Sequence, residues 1–312
     1  MNKSLRAVYG ETLARLGKDH SDFVVLDADV SNSTMSRIFG DSFPERFFNV
    51  GIAEANMVAM GAGFSEVGYT PFLNTFGVFL ASIGLIGART YGSYSHMNMK
   101  FVGAYGGLSD AFDGPTHHSL EDIAIMRTLP NFEVIVASDA LQTEWIVEYA
   151  LQSPEPMYIR LSREAMVPKY SGKDFAPGKG KVLREGGDVT IMACGVMVDE
   201  AMGAADTLAQ AGIEARVVDM FFIKPIDRAL ILESAAKTGA IVTAEEHSVI
   251  GGLGGAVAEV LASGGGSFVP QEFVGLGDTH AECGPYGELF EKYNVSADSI
   301  AAAAKKAIAR KK

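Results

Sequence analysis

Along the chain, short apolar runs alternate with amphipathic stretches, the pattern of strands that feed helices. An amphipathic helix is predicted over residues 4–16, then a buried strand, Phe23-Val24-Val25-Leu26, ending in Asp27-Ala28-Asp29. A polar loop over residues 31–36 follows. Residues 132–136 form another strand-like run, and Ser138-Asp139 is a good cap for a helix over residues 140–151. Strands that end in polar loops before helices imply a parallel sheet with binding groups at its carboxyl ends. From Pro168 to Gly187 the periodicity gives way to prolines, glycines and lysines, which reads as a linker. The pattern then restarts, with strands over residues 189–192, 215–218 and 240–244 and helices over 198–210, 228–237 and 256–261. The expected fold is α/β with two doubly wound domains: residues 1–167 around a mostly parallel sheet, a linker at 168–187, and a smaller domain at 188–312.

One stretch breaks the pattern. In FFNVGIAEANMVAMGAG, residues 47–63, Glu54 is the only formal charge. On a helix, Val50, Met57, Val58 and Gly61 share its stripe, so the run reads as a buried helix with one acid turned inward. An unpaired ionised carboxylate there costs several kcal/mol, roughly, so Glu54 is either protonated or meets a specific partner.

A length of 312 residues suits two domains with their own cores. Hydrophobic residues make up 48% of the chain, and with 35 glycines they hint at surfaces buried against other chains. The net charge of −12 argues against a nucleic-acid binder, and the basic end KKAIARKK reads as a solvated helix terminus. Cys194 and Cys283 lack CxxC spacing, so neither a disulfide framework nor a zinc site is indicated. The polar stretch from Asn2 to Asp22 does not resemble a signal peptide. Residues 72–88 are interrupted by Asn74, Thr75 and Ser82, which suits a buried helix better than a membrane span. A cytoplasmic protein is expected.

Several motifs carry candidate chemistry. Phe76 and Phe79 in NTFGVF are spaced to present two rings to one side of a helix, for a ligand or for the core. Gly114-Pro115 in DAFDGPTHHSLED makes a rigid turn bringing Asp113 and His117-His118 together near a helix led by Ser119; exposed imidazoles on a plain turn are the alternative. DVSNSTMS, residues 29–36, offers hydroxyls and amides for a polyol or phosphate, or simply enters a helix. Arg163 in IRLSRE suits an anion or a surface ion pair. GGLGGAVAEV resembles a dinucleotide loop, yet Val257 stands at the third glycine position, which favours a packed helix entrance.

Taken in order, NVGIAEANMVAMGAG, NTFGVF, DGPTHH, NFEVIVASDA and RLSRE resemble the pyrimidine-binding domain of transketolases, and the segment through AEEHSVIGGLGG resembles that family's C-terminal domain. The family's diphosphate-binding domain, with its GDG…N magnesium motif, has no counterpart in the chain. The resemblance therefore implies one subunit of a split transketolase, dimerising and joining an N-terminal partner in an α2β2 assembly, with thiamine diphosphate and Mg2+ (or Ca2+), the metal held mainly by that partner. It also implies roles. Glu54 matches the glutamate that meets a ring nitrogen of the aminopyrimidine and favours its imino tautomer; the exocyclic nitrogen then takes the thiazolium proton. Phe79 matches the ring that stacks on the pyrimidine, with Phe76, Ile52 and Asp29 lining the same pocket. Asp113 and His117 match residues that bind sugar hydroxyls, His117 also as a catalytic group, while Arg6, Ser33 and Arg163 match those that hold a sugar phosphate.

Three departures stand out: Tyr105 replaces a donor-contacting histidine, Ser82 replaces a third pocket aromatic, and Ala53-Glu54-Ala55 replaces Arg-Glu-His. They leave room for an unusual donor, such as a branched sugar phosphate or a sulfonated sugar. Transfer of a two-carbon ketol unit from a ketose to an aldose is the expected reaction. The alternatives are a deoxyxylulose-phosphate-synthase-like enzyme, a 2-oxo-acid dehydrogenase β-type subunit, or a non-catalytic assembly subunit.

Overall fold

A computed structural model describes residues 3–264 and 268–311; Asn2 and Lys312 of the two terminal stretches fall outside these residues. The first helix, Leu5–Leu16, starts where Ser4 accepts a hydrogen bond from the Ala7 amide. Behind it stands a seven-stranded sheet in the order Phe222–Lys224, Glu133–Val136, Met157–Arg160, Lys100–Ala104, Thr70–Phe76, Phe23–Asp27, Phe47–Asn49. All neighbours are parallel except the first pair. Both faces are covered by helices, which is why the central strands are buried along their whole length.

A second sheet runs Gln271–Leu276, Ile241–Ser248, Val189–Ala193, Ala215–Asp219, Lys181–Arg184, parallel but for the last strand. Two edge strands cross the boundaries expected from the sequence. Lys181–Arg184 lies inside the stretch read as linker; its short run was hidden by the surrounding Pro, Gly and Lys. Phe222–Lys224, from the second half, completes the first sheet.

The run 47–63 is not one helix. Phe47–Asn49 is a strand pairing with Val25 to Asp27, Gly51 turns the chain at φ +76°, and the helix is Glu54–Glu66. Val50 thus leaves the stripe, while Met57, Val58 and Gly61 keep it. The helix is buried on one side only, since Ala55, Asn56 and Ala59 are exposed. A Cβ on Gly61 would sit 2.7 Å from Leu73 Cδ2, so the missing side chain lets the helix lie close on the sheet. Residues 72–88 likewise split into the strand Thr70–Phe76 and the short helices Gly77–Ser82 and Leu85–Gly87; the strand is buried on both faces, and apolarity alone does not separate such a run from a buried helix. The helix expected at Ser119 begins at Asp122. Among the described residues no helix is long and apolar enough to cross a membrane.

Candidate active site

Four neighbouring strands of the first sheet deliver side chains to one edge. Phe76 ends Thr70–Phe76, Tyr105 follows Lys100–Ala104, Arg163 follows Met157–Arg160, and Asp29 follows Phe23–Asp27. The carboxyl edge of a parallel sheet is where such folds bind ligands.

Phe76 therefore lies at the end of a strand and only Phe79 on the helix after it, yet the two rings stack, with centroids 6.0 Å apart. Phe76 also meets the Tyr105 ring at 4.6 Å, and His117 stands edge-on to Phe79 at 5.2 Å. Glu54 opens its helix with 4% of its surface exposed. Its Oε1 accepts from Thr75 Oγ1 at 3.2 Å, next to Phe76, and among the described residues no hydrogen bond reaches its Oε2. A buried carboxylate with one oxygen uncommitted, beside a stack of rings, suits a flat heterocycle carrying a ring nitrogen.

Beyond the rings lies a cationic end. Arg6 and Arg163 lie over the Tyr105 ring, at 4.6 and 5.4 Å from its centroid. Arg6 donates to the Tyr105 hydroxyl at 3.0 Å, to the Arg163 carbonyl at 3.3 Å, and to the Ser33 carbonyl. Burial lowers the Arg6 pKa; Tyr105 opposes this and Arg163 adds to it. Tyr105 holds φ +58°, a strained value for an aromatic residue. Asp113 is exposed at the rim. Asp29 bonds Asn49 at 2.8 Å, and Ile52, just beyond the turn that Asn49 holds, is 83% exposed.

The loop at residues 29–36 divides its hydroxyls. Thr34 and Ser36 turn inward and donate to buried Asp27 at 2.7 and 2.8 Å, which leaves Ser31 and Ser33 on the outer side. The glycine-rich GGLGG turn holds a carboxylate of this chain where a dinucleotide loop would hold a phosphate: Glu245 accepts from Leu253 N at 2.6 Å and Gly254 N at 2.8 Å. That is a packed helix entrance, as its glycine spacing suggested.

Several groups at this site escaped the sequence reading. Asp110 is 1% exposed and 3.5 Å from Arg163; burial, then Asp113, pushes its pKa to about 6. Arg160 ends its strand fully buried, donating to Asp122 at 2.8 Å and to the carbonyls of Ser119 and Glu246 at 2.7 and 2.9 Å. Glu246 comes from the second domain, and burial pushes its pKa to about 7, against the pull of Arg160. The available signal was a run of ionisable residues, AEEHS, closing an apolar strand.

Stacked rings, a buried acid and paired guanidiniums at the carboxyl edge of a parallel sheet, backed by a second α/β unit, define a ligand-binding α/β enzyme scaffold. The pyrimidine-binding domain of transketolase matches residues 2–168 and the transketolase C-terminal domain matches 178–300, so the chain belongs to the transketolase family. It is similar to the 6-deoxy-6-sulfo-D-fructose transketolase subunit SqwH of Clostridium sp. (strain MSTE9), 40% identical over 98% of this chain and 95% of that one. A subunit of the apulose-4-phosphate transketolase from Phocaeicola vulgatus is 36% identical over 95% of this chain and 94% of its own length. A split gene transketolase solved as an inactive β4 tetramer superimposes with a TM-score of 0.92, at 46% identity over 99% of each chain.

Proposed function

We propose that this chain is the pyrimidine-side subunit of a two-chain transketolase dependent on thiamine diphosphate, moving a two-carbon ketol unit from a ketose to an aldose. The observation that carries this reading is Glu54, buried at a helix start with one oxygen free beside the Phe76–Phe79 stack. Thiamine diphosphate, when bound, supplies the electron sink for the carbanion. Glu54 would hold the pyrimidine ring nitrogen and place a proton there. Phe79 and Phe76 would fix the ring plane, with Ile52 and Asp29 at the pocket's outer wall. Asp113 and His117 would orient the sugar hydroxyls, and His117 would also move a proton at the reacting oxygen. Arg6, Arg163, Ser33 and Tyr105 would take the far end of the sugar, where paired guanidiniums suit a phosphate or a similar anion.

The diphosphate and its Mg2+ (or Ca2+) fall to a partner subunit in an α2β2 enzyme of carbohydrate metabolism, in the pentose phosphate class of reactions. Ile52, Ile83, Ile86 and Tyr94 are large apolar side chains left exposed in the first domain, which supports association with other chains. The cytoplasm suits the two free cysteines. Relatives matching along nearly their whole length carry transketolase names, which favours ketol transfer over the synthase and dehydrogenase alternatives. Residues 1–167 are taken as the pyrimidine-binding domain, 168–187 as the connection and 188–312 as the C-terminal domain.

Glu54→Gln tests the assignment. It should leave the circular dichroism spectrum unchanged and lower kcat of the reconstituted enzyme by about 10²–10⁴-fold. Wild-type turnover in that variant would remove Glu54 from the mechanism.

A further inference from the structure

The loop over residues 105–120 carries Tyr105, Asp110, Asp113 and His117, and the second domain meets its backbone at point after point. The Leu108 amide donates to Glu246 Oε1 at 2.7 Å, and the same oxygen accepts from the Tyr286 hydroxyl at 2.9 Å. The Gly284 amide donates to the Ala111 carbonyl at 3.2 Å, and the Ser248 amide to the Leu120 carbonyl at 2.9 Å. Gly107 holds φ +68°, and a Cβ there would lie 2.2 Å from the Glu246 carboxyl carbon. Gly114, at φ +77°, is packed in the same way on Cys283 Sγ, 2.4 Å from a Cβ built there. These two glycines mark where the second domain touches the loop with no room for a side chain between. Arg160 closes the arrangement by binding the carbonyls of Ser119 and Glu246 together.

We propose that the second domain is the template on which the substrate loop takes its shape, with Glu246 as the positioning residue that sets it. A buried amide needs an acceptor, and for Leu108 that acceptor comes from the other domain as the Glu246 carboxyl oxygen. Glu246 touches neither the stacked rings nor the paired guanidiniums. It acts through the backbone between Tyr105 and Asp110, so it bears on sugar binding and leaves the pyrimidine pocket alone. The inference rests on the site being a transketolase site, although the template itself is a property of the free chain.

Hydrogen exchange on the free chain and kinetics on the enzyme reconstituted with its partner test this together. In Glu246→Ala, amides over residues 105–119 should exchange about tenfold faster or more, while those of Ile241–Ser248 stay protected. The KM for the sugar should rise about tenfold with a smaller change in kcat and unchanged affinity for thiamine diphosphate. Glu246→Gln keeps an acceptor oxygen and should recover much of both effects. Tyr286→Phe, which removes one donor from the same oxygen, should give about a two- to fivefold loosening, and it reads the same effect should the alanine variant not fold. Unchanged exchange in the loop, or a loosened loop with unchanged KM, overturns the proposal. A wild-type pair without ketol transfer would sink the functional reading, while the exchange data would still decide on the template.

Discussion

Replacing Asp122 with Asn removes one charge from a deeply buried ion pair near the domain boundary. Asp122 Oδ2 accepts from Arg160 Nε at 2.8 Å and from the Tyr158 hydroxyl at 2.6 Å. The two charged side chains are 0% and 4% exposed. Asn keeps an oxygen to accept these bonds but leaves the buried Arg160 guanidinium with Glu246 as its remaining counter-charge. Breaking such a pair costs about 3–5 kcal/mol, and the retained acceptor sets the expectation at about 3 kcal/mol. At about 2–4 °C per kcal/mol the melting temperature should fall by about 6–12 °C, with little dependence on salt because the pair is shielded from it. Thermal unfolding followed by circular dichroism at neutral pH measures this directly. The double variant Asp122→Leu/Arg160→Met removes both charges and should melt above the single variant. A drop below about 2 °C in Asp122→Asn, or a double variant less stable than the single one, refutes the reasoning.

Two further outcomes follow from buried carboxyls. The folded Asp110 carboxyl titrates at about 6, above its unfolded value, so its contribution to stability is complete in acid and is lost as pH rises through 6. Asp110→Asn should therefore raise the melting temperature at pH 8 relative to wild type and leave it nearly unchanged at pH 4; an equal shift at both would contradict the burial argument. Glu245→Ala strands two helix amides now held at 2.6 and 2.8 Å. It should cost about 2–4 kcal/mol in a denaturant titration, and a loss below about 1 kcal/mol would mean the turn does not depend on its own carboxylate.

The fold was largely legible in the sequence because its strands are continuous apolar runs and its helices carry clear caps, as Asp139 does for Ala140–Gln152. Illegible were the places where a single residue changes the geometry. Gly51 turns the chain out of its strand before the Glu54 helix, so a segment with one apolar texture is two elements. The strand Phe222–Lys224 belongs to a sheet whose other members lie far earlier in the chain, and local periodicity carries no record of that pairing. The site behaves alike. Phe76, Phe79, His117 and Arg163 stood in recognisable motifs, while Arg6 and Tyr105 came only from the resemblance to the family. Asp110, Arg160 and Glu246 gain their roles only from neighbours brought in by tertiary structure. Hydroxyls in the residue 29–36 loop look equivalent in sequence, and burial of Asp27 sorts them into those that hold the loop and those left on its outer side.

The most direct test of the account is a mixing experiment. The purified chain is assayed for ketol transfer alone and then with the diphosphate-binding partner, thiamine diphosphate and Mg2+. The account predicts no turnover from the chain alone and full activity from the mixture. Ketol transfer by the isolated chain would contradict it.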